Sequence, residues 1–233
     1  MDVTDRDRGS AGEPVFDLPG VLVAIVAVLV AIQALRGWIA PEVDDLVLAL
    51  FAFIPDRFVL EAGQPAYPGG WGAMGWTFLS HAALHGSWMH LVLNAAMLAA
   101  VGRVVVRRIG TGRFLGLAGV SAIGGAAVHL VVEWGSGAPM IGASGVVFGV
   151  MGAALRFVFV PWWLPLPSAA AVLGVARVRS FIGALVLMNV LLVVLGTAPF
   201  GGGDEGAVAW GAHLGGFLAG FLGFPGFDPP RRG

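Results

Sequence analysis

Long apolar blocks, separated by polar or glycine- and proline-rich connections, fill most of this chain. A helix needs about 20 predominantly apolar residues to cross a bilayer. The first block covers residues 18–35, behind a polar tail at 1–17. That tail is net acidic and no A-x-A cleavage site follows the block, so it reads as a spanning helix rather than a signal peptide. Residues 37–76 contain no block of spanning length. The apolar piece at 46–54 is flanked by Asp44, Asp45, Asp56 and Arg57 and broken by Pro55, which suits an interfacial or re-entrant segment. A turn with Pro65, Pro68, Gly69 and Gly70 follows it. Further blocks lie at about 84–103, 114–133, 142–157, 181–198 and 207–224. The stretch 158–176 is also apolar, but Pro161, Pro165 and Pro167 prevent a regular helix at its start, and it reads as a loop at the membrane surface. The pattern predicts an all-α membrane protein. Its membrane domain is a six-helix bundle over 18–224 with a long first extracytoplasmic loop, and a C-terminal tail occupies 225–233.

Composition sharpens this picture. Of 233 residues, 58% are hydrophobic and only 12% charged, with a mean hydropathy of +0.87. A soluble domain carries about a quarter charged residues. The net charge of -1 and the lack of a basic stripe give no sign of nucleic-acid binding. Cysteine is absent, which removes disulfides, thiolate metal sites and cysteine nucleophiles. Every basic residue is arginine, and arginine marks cytoplasmic loops. With six spans and both termini inside, the inner loops hold Arg103, Arg107, Arg108 and Arg113, then Arg177 and Arg179, then Arg231 and Arg232. Arg57 in the first outer loop is a minor exception. A seventh span at 158–176 would put the C-terminal arginines outside. The short tails and absent lysine fit a bacterial inner-membrane protein.

Polar groups at membrane depth are costly and suggest function by default. Ser144 stands in Gly142-Ala143-Ser144-Gly145, at the head of an apolar run. A serine hydroxyl becomes a nucleophile when a base takes its proton. A helix start at Ser144 would add the N-terminal dipole and free N–H groups to stabilise an oxyanion. The same glycines also suit packing, since Gly145 and Gly149 form G-x-x-x-G, and the two roles are compatible. His213 is the obvious base, with Gly216 and Gly220 at i+3 and i+7 offering a small-residue face toward the Ser144 helix. A histidine hydrogen-bonding across helices for structural reasons is the alternative. His90 and Asn94 are spaced i, i+4 and can both donate hydrogen bonds, which suits an oxyanion hole. His81 and His85 share that spacing and invite a zinc reading, but no Glu completes H-E-x-x-H and no carboxylate lies nearby, so neither metal nor cofactor is expected. His85 is assigned to the loop above the site and His129 to a structural role. No carboxylate stands in a span near these groups, which leaves a Ser–His dyad rather than a triad.

In order and spacing, these motifs resemble the rhomboid intramembrane serine proteases over about residues 71–224. They are His81, His85, His90 and Asn94, then Gly142-Ala143-Ser144-Gly145, then Ala212-His213 with Gly216 and Gly220. The resemblance implies Ser144 as nucleophile, His213 as general base and acid, and His90, Asn94 and the Ser144 backbone N–H as oxyanion donors. It also implies cleavage of single-pass membrane proteins in or near their transmembrane segment. Bacterial relatives carry an aromatic residue, usually tyrosine, four positions after the serine; here it is Phe148. Their Trp-Arg pair in the first loop has only Trp76-Thr77 as its counterpart. The runner-up is a non-catalytic rhomboid-like protein that binds membrane helices. A small transporter is a third reading, but the halves of the chain show no repeat.

Overall fold

The computed structural model of the chain describes residues 18–59, 67–160, 164–195 and 208–229. The N-terminal tail, residues 230–233 of the C-terminal tail, Pro65, Pro161, residues 196–198 at the end of the fifth expected span, and the glycine-rich loop before the sixth lie outside the described residues. Nine α-helices occur among those described: α1 (Gly20–Arg36), α2 (Pro41–Phe51), α3 (Gly70–Ser80), α4 (Trp88–Ile109), α5 (Thr111–Val132), α6 (Ser144–Leu155), α7 (Ala169–Gly174), α8 (Ala176–Leu195) and α9 (Trp210–Gly223). Three are long and apolar enough to cross a membrane: α4, α5 and residues 176–194 of α8. The helices at the first, fourth and sixth expected spans are shorter, with 17, 12 and 14 residues.

Several boundaries differ from the hydropathy pattern, each for a local reason. The second block begins at 84 by composition, but α4 begins at Trp88, because Ser87 is extended and its hydroxyl accepts the His90 N–H at 3.1 Å. Such a cap is worth about 1 kcal/mol. The helix also runs past Arg103 to Ile109 and stops at Gly110, whose φ of +77° suits glycine. Arg103, Arg107 and Arg108 are therefore helical rather than in a loop. Residues 158–176 are not loop throughout, since Ser168 caps α7 by accepting from Ala171. In the first loop, α2 and α3 are joined by a 3-10 turn at Pro55–Phe58, and Phe53 forms an isolated bridge with Met140.

The core forms around α6, which packs mainly against α9, α5 and α4. Leu98, Val105, Phe114, Leu117, Val150 and Met151 are buried together in its main apolar cluster. At the end where α4, α6 and α9 finish, Arg108 makes a two-pronged pair with Asp228, both contacts at 2.8 Å, and lies over the rings of Phe157 and Phe224. Arg156, at the end of α6, donates to the carbonyls of Phe221 and Pro167. The exceptional Arg57 is buried at the opposite end, donating to the carbonyls of Pro68 and Ala49 beneath Tyr67. Its role there is to satisfy loop backbone, which explains an arginine on that side.

Candidate active site

The chain reaches Ser144 through Gly142, whose φ of +120° is rare for L side chains. A Cβ at Gly142 would also sit 2.7 Å from Cε1 and 2.8 Å from Nε2 of His90. Glycine therefore makes the turn and lets the His90 ring lie against the backbone just before the serine. Ser144 is half-buried and is the first residue of α6. The N–H groups of a helix's first turn lack intrahelical partners and carry the positive end of the dipole.

A chain of contacts holds this turn from outside. The Gly142 N–H donates to the His81 carbonyl at 3.0 Å, and the Ala143 N–H donates to His85 Nε2 at 3.4 Å. Arg36, paired with Asp44 at 2.6 and 2.9 Å, donates to the His85 carbonyl at 2.8 Å. His85 lies in the connection between α3 and α4, where burial, with His90 beside it, pushes its imidazole down to about 3. It is thus neutral at physiological pH and able to accept. His81 and His85 do not share a helix face: a 3-10 turn at His81–Ala83 and an extended Leu84 separate them. His81 pairs instead with the Thr77 carbonyl at 2.9 Å.

His90 and Asn94 follow each other along α4 at the edge of the same turn. The His90 ring meets His85 edge-on at 5.1 Å. Asn94 is buried and spends one amide proton on the His90 carbonyl at 2.9 Å, which leaves the second for another acceptor.

His213 lies in the first turn of α9, 8% exposed. Its ring is stacked on Phe148, with centroids 4.3 Å apart and planes 4° from parallel. Phe148 is one turn past Ser144 on α6. The two helices meet backbone to backbone. A Cβ on Gly216 would strike the Gly145 carbonyl, one on Gly220 the Gly149 carbonyl, and one on Gly152 would lie 2.5 Å from the Phe217 carbonyl oxygen. A Cβ on Gly145 would be 3.4 Å from the Ala212 carbonyl oxygen, so the immediate neighbours of Ser144 and His213 touch. Helix α9 meets α5 as closely, since a Cβ on Gly215 would strike the Gly124 carbonyl and the Ala212 carbonyl lies against Gly125 as well. His129 packs beside Phe53 and against the backbone at Gly211, two residues before His213.

One partner escaped the sequence reading. His213 Nδ1 lies 2.5 Å from Oδ1 of Asn189 on α8, and Asn189 Nδ2 donates to the Leu185 carbonyl at 2.9 Å. The available signal was the lone amide at 189 inside an apolar block, which the search for carboxylates passed over.

Comparison with known proteins covers the stretch that holds these residues. A family model described as the Rhomboid domain matches residues 72–225. RHOMBOID-like protein 5 of Arabidopsis thaliana is 31% identical over 150 residues, 64% of this chain and 43% of that protein. Rhomboid protease GluP of Bacillus subtilis is 27% identical over 158 residues, 68% of this chain and 27% of that protein. Rhomboid protease GlpG of Pectobacterium atrosepticum is 38% identical over 77 residues, 33% of this chain and 27% of that protein. The chain spans less than half the length of these curated relatives.

Proposed function

Because this chain belongs to the rhomboid family, we propose that it is an intramembrane serine endopeptidase that cuts single-pass transmembrane substrates in or near the membrane. The observation that carries this reading is the buried His213 ring, stacked on Phe148 one turn beyond Ser144, on helices that meet backbone to backbone. Ser144 is the nucleophile. His213 takes its proton as Oγ attacks the scissile carbonyl, then gives that proton to the leaving amine. Water repeats the cycle to release the acyl-enzyme. The oxyanion forms against the first N–H groups of α6, with His90 and Asn94 as side-chain donors; one such donor is worth about 10²–10³ in rate. His85 and Gly142 hold the turn that aims them. A helical peptide bond is hydrogen-bonded and shielded, so the substrate must unwind locally before attack.

The membrane domain in this reading is the six-helix bundle, with both termini cytoplasmic. Arg108 and Arg156 at the end away from Ser144 support that orientation, because arginine favours the cytoplasmic side. The site then opens to the outer face, from which water arrives.

The test is cleavage of a model single-pass substrate in liposomes by wild type, Ser144→Ala and His213→Ala. Cleavage by wild type alone is expected. If all three bind several substrates and none cuts, the protein is a non-catalytic rhomboid-like binder of membrane helices. Equal cleavage by wild type and Ser144→Ala would remove Ser144 from the mechanism.

A further inference from the structure

We propose that Asn189 is a positioning residue that fixes the tautomer of His213 and so leaves Nε2 free as the base; this rests on the Ser144–His213 reading above. A neutral imidazole carries its proton on one nitrogen, and the partner of the other decides which. Asn189 offers either an acceptor or a donor to Nδ1, depending on how its amide is turned. Its second contact decides the matter. The group 2.9 Å from the Leu185 carbonyl must be the NH₂, since a carbonyl only accepts. The amide oxygen therefore faces Nδ1 at 2.5 Å, and Nδ1 must be the protonated nitrogen. The reversed amide would oppose two oxygens at Leu185 and present a donor to Nδ1, moving the imidazole proton to Nε2 and abolishing the base. Asn189 here does what the orienting carboxylate does in a triad, without placing a negative charge in the bilayer.

The proton balance is closed. Nε2 receives the Ser144 proton, the imidazolium then carries a proton on each nitrogen with Nδ1–H still bonded to Asn189, and the Nε2 proton passes to the leaving amine. The titratable groups facing His213 are His90 on α4 and His129 on α5. Helix α6 and the rest of α9 contribute none, and the charges of α8, Arg177 and Arg179, lie about three turns from Asn189.

The experiment compares full-length wild type, Asn189→Leu and Asn189→Asp in liposomes. It has two readouts: the pH profile of kcat, and the imidazole nitrogen shifts of His213 in ¹⁵N-histidine-labelled protein, assigned by subtraction of His213→Gln. Wild type is expected to have Nδ1 protonated, and Asn189→Leu to show a tautomer mixture. In Asn189→Leu, kcat should fall about 10–100-fold with KM nearly unchanged. Asn189→Asp should retain kcat at alkaline pH and move the acid limb upward by about one pH unit or more, because a carboxylate stabilises the imidazolium. An Nε2-protonated wild type, or an unaltered tautomer and pH profile in both variants, overturns the proposal. The nitrogen shifts are readable whether or not the protein cleaves. An inactive wild type with Nδ1 protonated would therefore count against the protease reading and leave the tautomer assignment supported.

Discussion

Helices α9 and α8 each bring one residue to the same imidazole contact, and they are held in opposite ways. Helix α9 is locked by shape. Its glycines let its backbone touch both α6 and α5, so backbone contact sets its place beside Ser144. Helix α8 is nearly unembedded. Val178 is buried, the stripe of Ile182, Leu185, Asn189 and Leu192 is half-buried, and its other described side chains are exposed. Against this light apolar contact, the hydrogen bond from His213 to Asn189 is a polar tether. The contrast separates two requirements of the proposed base. Backbone packing sets where the imidazole is, and one amide sets which way its proton points.

This contrast makes graded predictions. The largest effect belongs to the glycine contact: Gly220→Val should drive a branched side chain into the Gly149 backbone. That should cost about 1–3 kcal/mol or more, read as a lower melting temperature in detergent together with lost cleavage. Gly142→Ala should come next. It strains a backbone at φ +120° and pushes on the His90 ring, so cleavage should fall about 10²-fold while the melting temperature drops less. Phe148→Leu removes the stacked ring but keeps apolar volume. An aromatic pair is worth about 0.5–1.5 kcal/mol, so kcat should fall by roughly 2–12-fold. The smallest effect lies on α8. A Cβ at Gly183 meets nothing within 4 Å, so Gly183→Ala should leave cleavage unchanged and raise the melting temperature slightly, if at all. A Gly183→Ala defect as large as that of Gly220→Val would erase the distinction between the two helices.

The sequence was informative where chemistry sits on regular spacing. His213, Gly216 and Gly220 lie on one helical face, and that face is the one set against Gly145 and Gly149. The family follows from the same residues, and the match to residues 72–225 agrees. It was less informative where local geometry decides. Hydropathy does not see the cap at Ser87 or the left-handed Gly110, so it misplaced both ends of α4. The i, i+4 spacing of His81 and His85 implied a shared face that a 3-10 turn removes. Asn189 was missed because its pairing is long-range: nothing within 189's own block says that an imidazole 24 residues away will meet it.

The proposed mechanism stands on activation of Ser144 by His213. It is tested most directly by treating the reconstituted protein with a fluorophosphonate and locating the adduct by peptide mass spectrometry. A single adduct on Ser144 is expected in wild type, and none in His213→Ala. An adduct on another serine in a protein that cleaves, or undiminished labelling of Ser144 in His213→Ala, would contradict it.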